Sequence, residues 1–214
     1  GCSGEGNTVN NRSGFQDSVE KPLAKRRGFI NERVQRRRGW DRPGDGLERL
    51  AKGQSARETV DALTKADANR RLRQLGIVDA KGRSASFTGS GCKHWAGHIE
   101  KPNFCAQGNI LTGEEVARSM VSGYAQARKK TGTGLCDWLA LTLMEGQKAG
   151  GDSRGRQSAA LLVVRKNGGY ARGNDRFIDL RVDDHKTPIV ELLRLLSIHK
   201  KMFRRAHENP PKAG

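Results

Sequence analysis

The sequence predicts one α+β domain in which layers of antiparallel sheet are covered by helices on the outside. Two segments read as β-hairpins, at 72–88 and 157–183, and between them lie two consecutive helical segments, at 112–124 and 135–148. A parallel sheet would need strands and helices in strict alternation, which this order does not provide. Antiparallel sheets packed under helices therefore fit better.

Length and composition bound the class of protein. The 214 residues suffice for one core, which typically hides about 70% of the surface of the unfolded chain. No apolar run approaches the ~18 residues of a membrane span, so we expect a soluble protein without a membrane partner. The net charge of +17 favours attraction to polyanions. Only 5% of residues are aromatic, and no stretch interleaves them with basic residues, so nucleic acid is a disfavoured partner.

The cysteines indicate a reducing compartment. Cys2, Cys92, Cys105 and Cys136 are too few and too scattered for a disulfide framework in a chain of this length. We therefore expect thiols and a cytoplasmic location. The sequence begins at Gly1 rather than Met, which leaves a removed targeting segment open.

The first part of the chain has a different character from the rest. Residues 1–43 show neither a helical nor a two-residue apolar period and carry the basic clusters 25–27 and 36–38, so we expect a disordered or irregular segment. A functional basic arm and a truncated or frame-shifted gene product are the alternatives. The domain then runs from 44 to 203, and 204–214 is expected to be a frayed tail.

Ordered signals begin after residue 44. Leu47 and Leu50 predict a short helix ended by Gly53, and Ser55 followed by Glu58 predicts a capping box that opens a second helix. The next strand is predicted at 72–79, with a tight turn and a returning strand at 84–88.

The second half of the domain continues the pattern. We predict a strand at 103–111, a helix capped by Thr112 with Glu115, and a nearly all-apolar helix at 135–148. The apolar run within 157–166 predicts a central strand covered on both faces. Alternation predicts a strand at 176–183. Thr187 and Pro188 then predict the N-cap and first position of a terminal helix.

Six segments, taken in order, carry a family resemblance. They are 73–80, Thr88-Gly89 with Cys92, 95–98, 107–111, 149–160 and 175–185. Together they resemble an uncharacterised bacterial family, domain of unknown function 1028, which is grouped with the N-terminal-nucleophile (Ntn) hydrolases. The resemblance extends from Gly44 to about His199.

The resemblance implies a four-layer αββα sandwich and amide-bond hydrolysis. Enzymes of that fold use an N-terminal Thr, Ser or Cys whose own α-amine is the base, while preorganised donors hold the oxyanion. Family members begin with a Thr-x-Ser-Ile-Val strand, and nothing before Pro43 matches it. We therefore expect an inactive amidohydrolase-type domain, incomplete at its N-terminus, whose family substrate is an unidentified small-molecule or peptide amide. The alternative is a non-catalytic module whose basic surface binds polyanions; a homo-oligomer stays open.

Candidate site residues lie in three parts of the sequence, at 109, within 152–158 and within 183–185. The catalytic candidates are Asn109, Asp152, Arg156 and Ser158, and the substrate-binding candidates are Arg154, Gln157, Asp183 and His185. Asn109 would donate to an oxyanion, although asparagine beside glycine is also ordinary turn chemistry. The arginines of 151–158 would bind a substrate carboxylate. The competing interpretation is an Arg–Asp network, with Asp152, Asp179 or Asp183, that orders the edge of the sheet.

Three further sets have a functional and a structural interpretation. Residues 183–185, Asp-Asp-His, would ligate a metal or act as base and orienter, or would simply cap the turn into the last helix. Cys92, His94, His98 and Cys105 have the ligands for zinc, but their spacing fits no familiar finger, so a buried thiol with hydrogen-bonded histidines is favoured. Cys2 would be a nucleophile if Gly1 were removed, or else a mobile thiol. We expect no cofactor and no metal.

Overall fold

The computed structural model describes residues 44–203 and the backbone of three short strands before them. The helices are α1 Gly44–Ala51, α2 Ala56–Ala66, α3 Glu114–Ala127, α4 Leu135–Lys148 and α5 Pro188–Met202. The strands are β1 Thr8–Asn11, β2 Phe15–Val19, β3 Phe29–Arg33, β4 Gln74–Val78, β5 Ser84–Thr88, β6 Gly97–Lys101, β7 Phe104–Gly108, β8 Ala159–Val164 and β9 Arg176–Val182.

The described strands form two antiparallel sheets. The larger sheet has the order β6-β7-β2-β1-β8-β9, and the smaller has the order β3-β4-β5. Every paired neighbour runs antiparallel. The prediction of a mixed α/β domain with antiparallel sheets is confirmed.

Three strands lie in the stretch that the sequence predicts to be irregular. β1 and β2 pair with each other and sit between β7 and β8, and β3 pairs with β4 at an edge of the smaller sheet. For these three ranges the structure differs from the expectation. Strand ladders are made by backbone groups, so they can form where side chains show no two-residue period. The remaining residues of 1–43, including Cys2, and the tail 204–214 lie outside the described residues.

Helices cover one face of the larger sheet. Alternate residues of β7, β8 and β9 pack against α3, α4 and α5, and the rings of Phe104 and Tyr124 lie 4.3 Å apart between centroids. The buried members of this core include Ala106, Leu161, Val163, Ile178, Met120, Leu139, Leu143 and Leu192. Leu161 and Val163 of β8 are buried while Ala160 and Leu162 are half-buried, so the two faces of that strand are covered unequally.

A second core lies under α1 and α2. Leu75, Ile77 and Ala85 of the smaller sheet pack there against residues of the two helices, Leu50, Ala56 and Val60. The opposite face of β4 lies against β7: a Cβ added to Gly76 would be 2.6 Å from Gln107 Oε1 and 2.8 Å from Cys105 Sγ. The close approach of these two strands therefore depends on glycine at position 76.

Several local predictions are confirmed. Ser55 and Glu58 form both hydrogen bonds of the capping box of α2. α4 has the predicted bounds. Gly53 follows α1 with a φ of +92°, a left-handed conformation that glycine adopts without strain. The hairpin β4–β5 has the predicted turn, in which Asp79 Oδ1 accepts hydrogen bonds from the backbone N–H groups of Lys81 and Arg83.

Other local predictions are wrong. Gly113, not Thr112, is the N-cap of α3 and makes no side-chain cap; the hydroxyl of Thr112 instead donates to the carbonyl of Gly151 at 3.4 Å. Thr187 is the N-cap of α5 with Pro188 at the start, as predicted, but its side chain makes no cap hydrogen bond. The sequence also did not predict β6, which pairs with β7 as a hairpin.

Candidate functional site

Polar side chains of four strands meet between the two sheets. In β4 and β5 the odd-numbered positions Leu75, Ile77 and Ala85 face α2, so the alternation of a strand turns the even positions toward the larger sheet. β7 does the same, because Phe104 and Ala106 face the helices while Cys105 and Gln107 face Gly76. We call the resulting set the inter-sheet polar layer: Gln74, Ser86, Thr88, His98, Glu100, Cys105 and Gln107.

Gln74 links the two sheets through its amide nitrogen. Nε2 lies within hydrogen-bond distance of three acceptors that share its two hydrogens: the carbonyl oxygens of Gly97 at 3.1 Å and Gly108 at 2.9 Å, both in the larger sheet, and Thr88 Oγ1 at 3.0 Å. Gln74 is only 2% exposed. Two carbonyl oxygens can accept but not donate, so this network fixes which end of the amide is the nitrogen.

Thr88 and His98 form a hydroxyl–imidazole pair. Oγ1 of Thr88 lies 2.8 Å from Nδ1 of His98, and both residues are half-buried. Burial lowers the pKa of His98 below its ordinary value of 6.5, although the charge of Glu100 opposes that shift. A neutral imidazole is therefore favoured at neutral pH, and neutral His is the form that accepts a proton.

Glu100 connects the inter-sheet polar layer to α2. Its Oε1 accepts a 2.5 Å hydrogen bond from the backbone N–H of Ser86, and the carboxylate pairs with Arg57 of α2 at 2.9 Å. One charged group thereby ties β6, β5 and α2 together. Arg57 is about half exposed, so the ion pair is screened by solvent.

Gln107 is the deepest member of the layer. It is 0% exposed, and among the described residues neither its Oε1 nor its Nε2 has a hydrogen-bond partner. Gln74 Oε1 and Ser86 Oγ are also buried and have no hydrogen-bond partner among the described residues. Buried polar atoms are nearly always partnered in folded proteins, and concentrations of exceptions call for a specific explanation. We regard this layer as the candidate functional site.

The predicted loop residues form a second, adjoining cluster. Asn109 follows β7 and is half-buried; the carbonyl of its neighbour Ile110 accepts hydrogen bonds from Ser153 N at 2.8 Å and Ser153 Oγ at 3.0 Å. Ile110 has a φ of +60°, a left-handed conformation that is rare for a β-branched residue. The structure thus brings Asn109 close in the fold to the segment containing Asp152 and Arg154, as the active-site prediction requires.

Asp152 and Arg154 are, however, bound to each other. The carboxylate of Asp152 has no exposed side-chain surface and accepts bonds from Arg154 Nε at 2.9 Å and Nη2 at 2.7 Å. This bond raises the pKa of the guanidinium. The competing Arg–Asp interpretation therefore describes this pair, and Arg154 is not a ready receptor for a substrate carboxylate.

The remaining residues of the 151–158 segment point to different places. Arg156 is exposed and lines an open cleft of about 130 Å³ between the end of α4 and the start of α5. Gln157 is exposed, and its carbonyl accepts a bond from His185 N at 2.8 Å. Ser158 is buried at the start of β8. Arg156 lines this cleft, and Gln157, Ser158 and Asn109 do not.

Asp183 and His185 have structural partners. Asp183 pairs with Arg181 at 3.0 Å, and both side chains are exposed. Nδ1 of His185 accepts the backbone N–H of Thr187 at 3.0 Å, which ties down the turn before α5. The capping interpretation of this trio fits these contacts better than a metal or a base.

The structure describes no assembled metal site. Among residues 44–203 no group of three or more His, Cys, Asp or Glu side chains is placed to hold an ion. Of the zinc set, His98 and Cys105 belong to the inter-sheet polar layer, His94 is exposed, and Cys92 donates from Sγ to the carbonyl of Arg73 at 3.4 Å. No helix within the described part of the chain is both long and apolar enough to cross a membrane.

Most of the inter-sheet polar layer was missed as a site by sequence reasoning. Its signal is present: polar residues recur at every second position of 84–88 and 97–101. Such alternation is ordinarily explained by a polar face in contact with water. Only the packing of the second sheet shows that here the polar face is buried.

The fold and the buried layer define an α+β domain of paired antiparallel sheets with a polar interior between them. A family model described as a family of unknown function, DUF1028, matches residues 34–192. The chain belongs to that family. A crystal structure of a protein of the same family from Silicibacter pomeroyi is similar in fold, with a TM-score of 0.64 and 22% identity; the alignment covers 90% of this chain and 76% of that one. No curated protein matches the sequence.

Proposed function

We propose that this chain has the four-layer fold of the Ntn hydrolases and is related by descent to enzymes that cleave amide bonds. The packing supports the proposal: helices cover the outer face of each sheet, and β4 lies against β7 on the inner side. This packing supports the αββα order that the family resemblance implies. The substrate class is a small-molecule or peptide amide.

The observation that carries the proposal is the inter-sheet polar layer. Catalytic sites collect buried polar groups and titratable groups with shifted pKa values in a water-poor setting. Here Gln107 offers a buried amide donor and acceptor, and His98 has a lowered pKa. An amide substrate carries the complementary carbonyl acceptor and N–H donor.

We further propose that residues 1–214 by themselves do not turn over amides by the N-terminal-nucleophile route. The family model begins to match at residue 34, and residues 1–43 contain no Thr-x-Ser-Ile-Val segment to supply the nucleophile and its α-amine base. The polar layer would then be able to bind an amide without the group that attacks it.

A chimera tests both parts. Residues 1–33, which include β1, β2 and β3, are replaced by the whole corresponding N-terminal region of a family member that begins with Thr-x-Ser-Ile-Val, and the chimera and this chain are assayed on a panel of acyl 4-nitroanilides and primary amides. We expect turnover by the chimera alone. Turnover by this chain would overturn the claim of inactivity, and inactivity of a folded chimera on the whole panel would count against amide hydrolysis.

A polyanion-binding module is the second candidate. After Pro43 the chain has thirty Lys and Arg against eighteen Asp and Glu, a net of +12, so the excess of positive charge is not confined to the N-terminal stretch. Such a surface attracts polyanions without a defined pocket. Retention on heparin that falls steeply with added salt would support this function.

A further inference from the structure

The Thr88–His98 pair has the geometry of an activated hydroxyl. An amide N–H can only donate, so the contact from Gln74 Nε2 makes Thr88 Oγ1 an acceptor at 3.0 Å. His98 Nδ1 lies 2.8 Å from Oγ1, and in the tautomer that carries its proton on Nε2 this nitrogen accepts the Thr88 proton. A hydroxyl within hydrogen-bond reach of a basic imidazole is the arrangement that nucleophilic catalysis requires.

A second, independent observation lies beside this pair. Gln107 is directly opposite His98 in the β6–β7 ladder, and side chains of opposite residues lie on the same face. Its buried amide has no hydrogen-bond partner among the described residues. Nε2 of Gln107 is thus a buried donor on the same face as the imidazole, with no acceptor among the described residues.

We propose that Thr88 is a nucleophile that takes up an acyl group from an activated ester, with His98 as its base and Gln107 as the donor to the acyl oxygen. Oγ1 attacks the acyl carbon and forms a new C–O bond while its proton passes to Nδ1. The bond from the acyl carbon to the leaving oxygen then breaks, the alcohol or phenol departs, and the imidazolium returns its proton to the leaving group or to water. In the second half, water gives a proton to Nδ1 and its oxygen forms a bond to the acyl carbon; the bond between the acyl carbon and Oγ1 breaks, Oγ1 takes the proton back, and the acyl group leaves as a carboxylic acid.

The surroundings of Thr88 and His98 favour nucleophilic catalysis over a purely structural hydrogen bond between them. Both residues are half-buried at the edge strands β5 and β6, so a small acyl donor can reach them from solvent. Burial keeps His98 neutral at neutral pH. Glu100 and Arg57, the nearby charged groups, neutralise each other at 2.9 Å.

This activity goes beyond the proposed function, because it does not need an N-terminal nucleophile. Amide turnover and ester acylation can therefore fail separately. A chain that is inactive on amides but acylated at Thr88 supports both proposals. If Thr88 is not acylated, the result of the chimera experiment on amide hydrolysis still stands.

The experiment uses 4-nitrophenyl acetate and the full chain. We expect a burst of 4-nitrophenolate and, after acid quenching and peptide mapping, an acetyl group on Thr88. Thr187 is a matched internal control, since its Oγ1 also lies near a histidine, 3.2 Å from His185 Nδ1, but that nitrogen already accepts the backbone N–H of Thr187. Equal or greater acetylation of Thr187 would overturn the proposal, and this comparison needs no variant to fold.

Variants separate the roles. Thr88→Val keeps the shape of the side chain and should abolish the burst, whereas Thr88→Ser should retain it. His98→Gln should slow acylation about 100-fold, the usual contribution of a general base, and Gln107→Leu should slow it at least tenfold. An unchanged burst in a folded Thr88→Val or His98→Gln variant, checked by circular dichroism, would refute the assignment.

Discussion

Asp152 is a carboxylate with no exposed side-chain surface whose bonds come from the backbone and side chain of Arg154. Its sequence context, at the entrance to a buried strand, predicts either a catalytic residue or a member of an Arg–Asp network. Its contacts instead bend 152–155 into a turn, and its isolated bridge to Leu111 fixes that turn beside the end of β7.

We expect Asp152→Asn to lower the free energy of unfolding by about 1–3 kcal/mol, because it weakens bonds to a buried acceptor while Arg154 is itself half exposed. Asp183→Asn is the matched control. Its ion pair with Arg181 is exposed on both sides, so its loss should cost less than about 0.5 kcal/mol. Urea denaturation measures both, and equal losses would show that Asp152 has no structural role.

His98 should make stability depend on pH. Its pKa in the folded protein lies below the ordinary value, so below pH 6.5 the unfolded chain binds more protons than the folded one. The free energy of unfolding should therefore fall as the pH is lowered from 7 to 5.5. His98→Gln should flatten this slope in part only, since burial also lowers the pKa of His199. An identical slope in the variant would contradict a buried, neutral His98.

At single residues the sequence could predict turn chemistry better than function. The local structure at Ser55 with Glu58 and at the Thr187-Pro188 pair can be predicted from the sequence, because capping depends on neighbours in sequence. The sequence did not decide in the same way whether Asn109 and His185 are functional residues or turn residues. Whether a side chain faces a pocket or completes a turn depends on contacts from distant segments, such as Gln157 with His185.

Strands β4, β5, β6 and β7 each have two different faces, and the way the sheets stack decides which face is the site. The sequence reveals the alternation in 84–88 but not the layer that covers it. β6 was missed because Gly97, His98, Glu100 and Lys101 are unusual in a strand with a packed face, and β propensity mainly reflects such packing. The hairpins and helices with a regular apolar stripe, above all α4, were predictable.

We expect Gly76→Ala to destabilise the fold by about 1–3 kcal/mol, because the new methyl group would overlap Gln107 Oε1 and Cys105 Sγ inside the polar layer. Gly134→Ser is the matched control. It also adds a Cβ, but nothing lies within 4 Å of that position, and serine is a good N-cap for α4. Thermal unfolding should rank the control at or above the parent and Gly76→Ala below it. The reverse order would mean that β4 and β7 are not in close contact.

The whole molecule is dominated by its positive charge of +17. We expect retention on heparin that weakens steeply with salt, because counterion release governs such binding. If net charge alone determines retention on heparin, Arg181→Ala and Arg176→Ala should each reduce that retention slightly and equally. A defined polyanion site would instead appear as one basic residue whose loss removes most of the retention, and that result would favour the binding-module function.

The mixed α/β class with antiparallel sheets and, apart from β6, the order of the elements from 44 to 203 were predictable because local signals and the family motifs agree there. The pairing of β1 and β2 between β7 and β8 was not. Those segments carry no apolar period, and the partners they pair with lie about 90 residues (β2 with β7) and about 150 residues (β1 with β8) further along the chain. Long-range pairing of this kind leaves little trace in a single sequence.

A disulfide between two strands tests most directly the claim that the polar faces of β4 and β7 pack together. The Cβ of a residue at 76 would lie 2.8 Å from Cys105 Sγ, so we expect Gly76→Cys, under mild oxidation, to form a bridge to Cys105 that peptide mapping detects. Gly134→Cys, with nothing within 4 Å, should form no bridge within the chain. If Gly76→Cys keeps both thiols or links to Cys92 or Cys136 instead, the two sheets do not meet as described.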